Sequence, residues 1–225
     1  NRIKHWAGFP IESINACLSY ENIELDQIQF IAINSNSLSN IFHKFKYSIS
    51  NFSNYRLFLK KFFLKRKKNN FLNLLQNNFS SSVIPKIKYY DHHLCHIASA
   101  YFPSNFKKSL LISADGFGDF ASTVAAVGDK NIISVKNKVL FPHSLGIFYQ
   151  AFTQFLGFKN YGDEYKVMGL SAYGEDKFKN QLDKIITNNK SSFNLNLDFF
   201  QHHVKNINMK WNDESPKFEN LYNQN

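Results

Sequence analysis

The chain of 225 residues is 44% hydrophobic, which suffices for one large domain or two lobes, and its two cysteines exclude a disulfide framework and suit a reducing cytoplasm. No apolar run reaches the roughly 18 residues that a membrane span needs. The net charge of +10 comes from one segment, because the residues between Asp26 and Asp91 include eleven Lys and Arg and no acid, which disfavours nucleic-acid binding by the chain as a whole.

The first part of the chain is predicted to contain a helix, a strand and a basic helical segment. The helix begins near Pro10, since proline is favoured in a first turn, and the apolar run at 28–35 predicts a short buried strand. Residues 55–68 predict a basic helix with one aromatic face, which we interpret as packed on a neighbouring element. A patch that binds nucleic acid or a membrane surface is the alternative.

The central part is predicted to combine one helix with a group of strands. A strand at 85–90 leads into a helix from His92 to about Tyr101, with Asp91 as its N-cap. The next three apolar runs predict an antiparallel meander rather than a Rossmann unit. These runs lie at 109–118, 121–129 and 131–141.

The last part is predicted to be helical, with irregular connections. An amphipathic helix is expected at 144–158, and the glycine-punctuated stretch 162–176 is expected to be irregular. A further helix is expected at 177–189, and the tail from residue 190 is expected to be mostly loop.

Two histidines in the central helix predict a metal site. His92 and His96 lie about 40° apart on one helix face, whereas His93 lies about 100° from His92. Two imidazoles one turn apart can bind one ion, although exposed or capping histidines are the alternative. Asp115 ends the following apolar strand and enters an Asp-Gly-x-Gly turn, so it could complete a set for iron, manganese or zinc.

The opposite side of this helix is predicted to be its packed face. Cys95 lies off the histidine face, so a zinc site of cysteine and histidine is a minor alternative. His143 is interpreted as structural. The residues of the predicted packed face are Leu94, Ile97, Ala98 and Tyr101.

Several short motifs predict contacts to a phosphate. Gly116 and Gly118 let backbone N–H groups approach an anion closely, and Ser144 and Gly146 open a helix whose first N–H groups favour anions. An ordinary hairpin and a plain helix cap are the alternatives.

Two further charged positions are candidates for the same role. Glu164 and Lys166 flank Tyr165, so in an extended segment they would share one side and could hold a phosphate or a ribose hydroxyl. A surface ion pair is the alternative.

Four blocks of the sequence, in order, resemble the NodU/CmcH carbamoyltransferase family. They are DHHLCHIASAYFPS, SADGFGDFAST, FPHSLGIFYQAFTQFLGF and GDEYKVMGLSAYGE, and the opening NRIKHWAGFPIESINACL is similar as well. The resemblance implies an α/β, actin-like ATPase lobe of the ASKHA, ribonuclease H-like class within a larger two-lobe domain. Residues 1–190 would be the first lobe without its N-terminal strands, with a basic helical insert at about 37–82. Residues 191–225 would begin the connection to the second lobe.

The resemblance also implies an activity. The family transfers a carbamoyl group from carbamoyl phosphate, through carbamoyl adenylate, to a hydroxyl of a small molecule or sugar, with ATP as co-substrate. His92, His96 and Asp115 fall on the family's metal positions, usually occupied by iron. The residues expected around the carbamoyl adenylate and its phosphate are Lys4, Gly116, Gly118, Ser144, Gly146, Glu164 and Lys166. Lys4 could reach the adenylate phosphate, and an exposed side chain is the alternative for it.

The same resemblance implies partners within a longer chain. The second actin-like lobe, a fourth metal ligand and the YrdC-like domain that makes the adenylate are absent from these 225 residues, so the fragment alone is expected to be inactive. A cytoplasmic location and a homodimer are compatible with it. The alternatives are a relative that transfers threonylcarbamoyl to tRNA and a non-enzymatic binder acting through residues 55–68.

Overall fold

The computed structural model describes residues 8–50, 69–79, 85–189, 191–205, 207, 209–210 and 217–223. Lys4 and the basic helix predicted at 55–68 lie outside these residues. The helices are α1 (Ile11–Glu21), α2 (Ile41–Ser50), α3 (Asn69–Asn78), α4 (His92–Tyr101), α5 (Leu145–Phe155), α6 (Glu164–Ser171) and α7 (Lys179–Ile185). The strands are β1 (Phe30–Ile33), β2 (Lys86–Tyr89), β3 (Lys108–Gly118), β4 (Ala121–Asp129), β5 (Ile132–Leu140), β6 (Ile186–Asn189), β7 (Ser192–Leu195), β8 (Met209–Lys210) and β9 (Lys217–Phe218).

The chain divides into two compact units, residues 1–34 with 45–90 and residues 35–44 with 91–225. The lobe predicted at 1–190 stays a prediction. The described part is mixed α/β, as the sequence predicts. The actin-like assignment stays a prediction.

The first unit contains a parallel pair of strands. Phe30 of β1 lies opposite Lys86 of β2, and Ile33 lies opposite Tyr89, so both predicted strands are present. The prediction that β1 is buried is wrong, because Phe30 is 47% exposed and the ammonium of Lys88 lies 3.8 Å from the centre of its ring. A two-stranded sheet leaves a face of each strand uncovered, and a cationic side chain here covers part of it.

The second unit is built on the predicted meander. β3, β4 and β5 are antiparallel neighbours in sequence order. Helix α4 packs on them through Ile97, which joins a buried cluster with Ala121, Val124 and Ala126 of β4. The helix that carries the two histidines is thereby fixed on the sheet that carries Asp115.

The chain reversal between β3 and β4 differs from the prediction. The sequence places a turn at Asp115–Gly118, but β3 continues to Gly118, with a register shift between Ala114 and Gly118. Asp119 and Phe120 make the turn, with φ angles of 51° and 75°. Non-glycine residues seldom adopt this left-handed region, so other contacts must hold Asp119 there. Asp115 consequently lies in an irregular stretch of strand rather than in a turn.

The predicted helix at 177–189 is wrong over its last four residues. Helix α7 ends at Ile185, and residues 186–189 form β6, which pairs antiparallel with β7. Ile186 and Thr187 are β-branched at the change of structure, which favours a strand over a helix.

The tail predicted as loop contains the other strand of this hairpin. Phe193 and Leu195 of β7 are buried while Asn194 is exposed, which is the alternation of a strand with one covered face. This hairpin helps to close a second buried cluster in the unit. The cluster consists of Ala151, Leu195, Phe200 and Leu221.

Among the helices that the structure describes, none combines the length and the apolar character needed to cross a bilayer.

The hairpin predicts a dependence of stability on pH. The backbone N–H of Leu195 donates to Nδ1 of His143 at 3.1 Å, and burial, followed by the nearby His203, lowers the pKa of His143. The neutral imidazole therefore contributes stability that is present above the unfolded pKa of about 6.5 and is lost as the pH falls through the lower folded pKa.

We expect hydrogen-exchange protection of residues 192–195 in the full-length protein to fall between pH 7.5 and 5.5, after correction for intrinsic exchange rates. His143→Asn, whose side-chain carbonyl can accept the same N–H without titrating, should flatten this slope. An equal slope in both proteins would show that another group controls the hairpin.

Candidate metal centre

The two histidines and Asp115 meet in the second unit. Nε2 of His92 lies 2.9 Å from Oδ2 of Asp115 and 3.0 Å from Nε2 of His96, and the His96 nitrogen lies 3.6 Å from the same carboxylate oxygen. The helix that presents them starts at His92, where Asp91 caps it by accepting from the N–H of Leu94 at 3.2 Å. The predicted helix, its cap and its histidine face are therefore present.

The three donor atoms fit one divalent ion. Metal bonds to imidazole nitrogen and carboxylate oxygen are about 2.1 Å long, so two ligands about 90–110° apart are separated by about 3.0–3.4 Å. The separation of 3.0 Å lies within this range, and those of 2.9 and 3.6 Å lie just below and just above it. The side chains of His92, His96 and Asp115 are 22%, 51% and 41% exposed, so an ion held there would keep positions for other ligands.

Electrostatics keep Asp115 in the form that a cation requires. Partial burial alone would raise the pKa of Asp115, but hydrogen bonds from His92 and the Gly116 N–H and the charge of both histidines outweigh it and lower the pKa. The Gly116 N–H donates to Oδ1 at 2.6 Å, and Oδ2 is the oxygen beside His92. The carboxylate is thus charged and oriented by its own backbone.

Two glycines make the room that this arrangement needs. A Cβ on Gly118 would lie 1.9 Å from Cδ2 of the His92 ring, and a Cβ on Gly146 would lie 2.7 Å from the Gly116 nitrogen and 2.8 Å from the Asp115 carbonyl. Both contacts are far inside van der Waals distance. The structure gives both glycines a steric role beside the candidate metal ligands, and their predicted contacts with an anion stay predictions. A Cβ on Gly116 would meet nothing within 4 Å, so Gly116 keeps open space beside it.

Comparison with known proteins gives the family. The profile of the carbamoyltransferase N-terminus matches residues 1–223. The chain belongs to this family. Its relatives include the nodulation protein NolNO of Sinorhizobium fredii, which is 36% identical over 183 residues, or 78% of this chain. The nodulation protein NolO of Bradyrhizobium diazoefficiens is 44% identical over 92 residues, or 40% of the chain. An uncharacterised protein of Synechocystis is 32% identical over 220 residues, or 89% of the chain.

These relatives are much longer than the chain. The matched regions cover 25% of NolNO, 16% of NolO and 34% of the Synechocystis protein. The carbamoyltransferase resemblance drawn from the four sequence blocks is confirmed, and the 225 residues correspond to an N-terminal part of such enzymes.

Ser144 supports the strand that carries Asp115 in this carbamoyltransferase domain. Its side chain is fully buried. The hydroxyl proton points toward two carbonyl oxygens, that of Gly116 at 2.7 Å and that of Asp115 at 3.0 Å. Oγ also accepts from the Ile147 N–H at 3.1 Å, as the predicted N-cap should. The hydroxyl is therefore engaged with the backbone, as in a plain helix cap, and the predicted phosphate contact at this helix start stays a prediction.

Glu164 and Lys166 are not neighbours on one side of an extended segment. They lie in α6, where residues two apart point about 200° from each other. Lys166 instead pairs with Asp163 at 2.7 Å, and this hydrogen bond raises the pKa of Lys166. The prediction that 162–176 is irregular is therefore wrong over Glu164–Ser171, where the helix includes Gly169.

The predicted packed face of α4 is correct in part. Ile97 and Tyr101 are buried as predicted, whereas Leu94 and Ala98 are only half-buried and His93 is buried as well. His93 is fully buried, with Nδ1 2.8 Å from the hydroxyl of Ser113 and Nε2 3.0 Å from the carbonyl oxygen of Ala121. Because a carbonyl only accepts, Nε2 carries the proton and Nδ1 accepts from Ser113. His93 is thus a structural residue beside the candidate metal centre.

The cysteine beside these histidines does not join the donor set. Cys95 is half-buried, and burial, together with Asp91 and Asp119, raises the pKa of its thiol. A raised thiol pKa disfavours the thiolate that zinc binds. Among the described residues, the cluster that could hold a metal ion contains His92, His96 and Asp115 without it.

Removing the buried imidazole of His93 should lower the stability of this unit and leave its metal content unchanged. We expect His93→Ala to lower the free energy of unfolding of this unit by roughly 3 kcal/mol, because it leaves a cavity and two unpaired polar groups. Metal content per folded molecule should stay near that of the wild type. Thermal unfolding and metal analysis of the full-length protein would measure both.

The matched control is Ser99→Ala on the exposed side of the same helix, which should change stability by less than about 0.5 kcal/mol. A His93→Ala protein as stable as this control would contradict the structural role.

Proposed function

We propose that the full-length protein is an O-carbamoyltransferase that moves a carbamoyl group from carbamoyl phosphate, through carbamoyl adenylate, to a hydroxyl of a small molecule or sugar. The observation that carries this proposal is the meeting of His92, His96 and Asp115 within a chain that matches the carbamoyltransferase N-terminus along nearly its whole length. The nodulation proteins among its relatives support the same class.

The transfer step requires three events. A bond forms between the acceptor oxygen and the carbamoyl carbon, the bond from that carbon to the adenylate phosphate oxygen breaks, and the hydroxyl proton is released while AMP leaves. A divalent cation, for which we propose Fe(II), would supply Lewis acidity to polarise the carbamoyl oxygen or to lower the pKa of the acceptor hydroxyl. His92, His96 and Asp115 would hold it.

The residues around the triad orient the ligands for this chemistry. The Gly116 N–H donates to Oδ1 of Asp115 and fixes the carboxylate. The Ser144 hydroxyl fixes the backbone at the same place through the carbonyl oxygens of Asp115 and Gly116. Preorganised ligands do not have to rearrange during the reaction, which lowers its barrier. Gly116, which has open space beside its Cα, and Lys166 are our candidates for phosphate contacts, together with Lys4 from the sequence.

We further propose that these residues form part of an actin-like domain. The greater length of the relatives supports a second lobe and a YrdC-like domain in the full-length chain. The second lobe would contribute the fourth ligand, and the YrdC-like domain would make the adenylate from ATP and carbamoyl phosphate.

The test uses the full-length protein with ATP, carbon-labelled carbamoyl phosphate and a panel of sugars and other hydroxyl compounds. We expect pyrophosphate release without acceptor, and acceptor-dependent release of AMP with transfer of label to a hydroxyl. Asp115→Asn should retain pyrophosphate release and lose transfer. Label transfer to none of the hydroxyl compounds, with pyrophosphate release intact, would contradict the proposed acceptor class.

A further inference from the structure

Asp119, in the turn after β3, contacts the start of the histidine helix. One carboxylate oxygen, Oδ2, accepts from the backbone N–H of His92 at 3.0 Å and from that of Asn36 at 2.7 Å. The other, Oδ1, accepts from the hydroxyl of Ser35 at 3.2 Å, and the Asp119 carbonyl accepts from the side-chain amide of Asn40 at 3.0 Å. These contacts all lie within the second unit.

The contact with His92 is made to the first residue of α4. The first N–H groups of a helix have no partner within the helix, so each needs an acceptor from elsewhere. Asp91 serves the N–H of Leu94, and Asp119 serves the N–H of His92. His92 is both the first helical residue and a candidate ligand. The acceptor of its N–H therefore fixes the backbone from which the imidazole side chain extends.

Asp119 also lies four residues after Asp115 along the same strand and turn. It therefore joins the segment carrying the carboxylate ligand to the helix carrying the imidazole ligands. Its φ of 51° lies in the left-handed region, which is unfavourable for a residue with a side chain. A residue kept in this conformation by four polar contacts indicates that those contacts outweigh the backbone strain.

A lysine braces the same region from β5. Nζ of Lys138 lies 3.4 Å from a carboxylate oxygen of Asp91 and 3.4 Å from the side-chain oxygen of Asn40. Asp91 and Asp119 both contact the start of α4. Residues 35–40 contact the same place, through Asp119 and through Lys138.

We propose that Asp119 is a positioning residue for the metal centre, which it serves by fixing the backbone of His92 relative to Asp115. The proposal rests on the metal centre of the proposed function. It predicts that loss of the carboxylate changes the geometry and affinity of a bound ion without removing any ligand.

The experiment uses Co²⁺ as the probe, because its absorption spectrum reports ligand geometry, and full-length wild-type, Asp119→Asn, Asp119→Gly and Ser35→Ala proteins. Glycine tolerates the left-handed φ, so Asp119→Gly removes the carboxylate without adding backbone strain. Ser35→Ala removes a contact to Asp119 and leaves the His92 contact in place.

We expect both Asp119 variants to bind Co²⁺ about 10- to 100-fold more weakly than the wild type, with a shifted spectrum. Ser35→Ala should match the wild type in both. Asp119 variants with wild-type affinity and spectrum would overturn the positioning role, whereas a wild-type protein that binds no Co²⁺ would overturn the metal centre itself. If neither variant folds, Asp119→Glu is measured instead, since it moves the carboxylate by one methylene. Wild-type Co²⁺ affinity and spectrum in this variant would also overturn the positioning role.

Discussion

Replacing Gly118 with alanine should abolish stoichiometric metal binding by the full-length protein. The new Cβ would lie 1.9 Å from Cδ2, 2.3 Å from Cγ and 2.7 Å from Nε2 of the His92 imidazole. The ring must then leave its position beside Asp115, because the glycine belongs to a strand fixed by the meander and cannot move far. We expect metal affinity to fall by at least about 100-fold and carbamoyl transfer to fall with it, since the ion would lose one of its ligands.

Gly116→Ala is the matched control for this metal measurement. It makes the same substitution two residues earlier, where a Cβ meets nothing within 4 Å, and it keeps the N–H that orients Asp115. Metal content and affinity are measured for both variants beside the wild type. Equal binding in the Gly118 and Gly116 variants would show that His92 does not need its observed position to hold the ion.

Removing His96 should have the clearest effect on metal without an effect on folding. Its side chain is 51% exposed, so His96→Ala leaves no buried cavity, yet it removes a donor atom 3.0 Å from Nε2 of His92. We expect metal content of the full-length protein to fall from about one ion per chain to a small fraction of that, with thermal unfolding of the metal-free protein unchanged. Asp115→Asn, which keeps the size of the side chain and removes its charge, should also lose the ion.

His43→Ala controls for adventitious binding, because His43 is an exposed histidine of α2 outside the triad. It should keep the full metal content and the full rate of carbamoyl transfer. Retention of one tightly bound ion by both the His96 and the Asp115 variants would mean that the ion lies elsewhere.

The sequence by itself determined the local elements that carry the site. Helix α4, its cap at Asp91 and the shared face of His92 and His96 follow from the spacing of four residues and from a capping side chain, which act within one or two turns. The three strands of the meander follow from apolar runs separated by turns. The family follows from blocks of sequence in a fixed order.

Where a pattern of one segment was ambiguous, contacts from distant residues decided it. Residues 186–189 leave the predicted helix because β7, which follows in the chain, offers hydrogen bonds to a strand. Phe193 and Leu195 flank the polar Asn194, but so short an alternation predicts a strand only when other residues cover its apolar face. The second buried cluster provides that cover.

The tertiary structure alone decided what each residue of the site does. The rotation of α4 on the meander decides whether His93 faces solvent or the buried Ser113. The position of the His92 ring decides what lies next to Gly118. Asp119 was not singled out by any local pattern, because its partners at Ser35, Asn36 and His92 are 84, 83 and 27 residues away along the chain. Side-chain function at this centre is set by packing between elements, and packing is a property of their three-dimensional arrangement rather than of any one stretch of sequence.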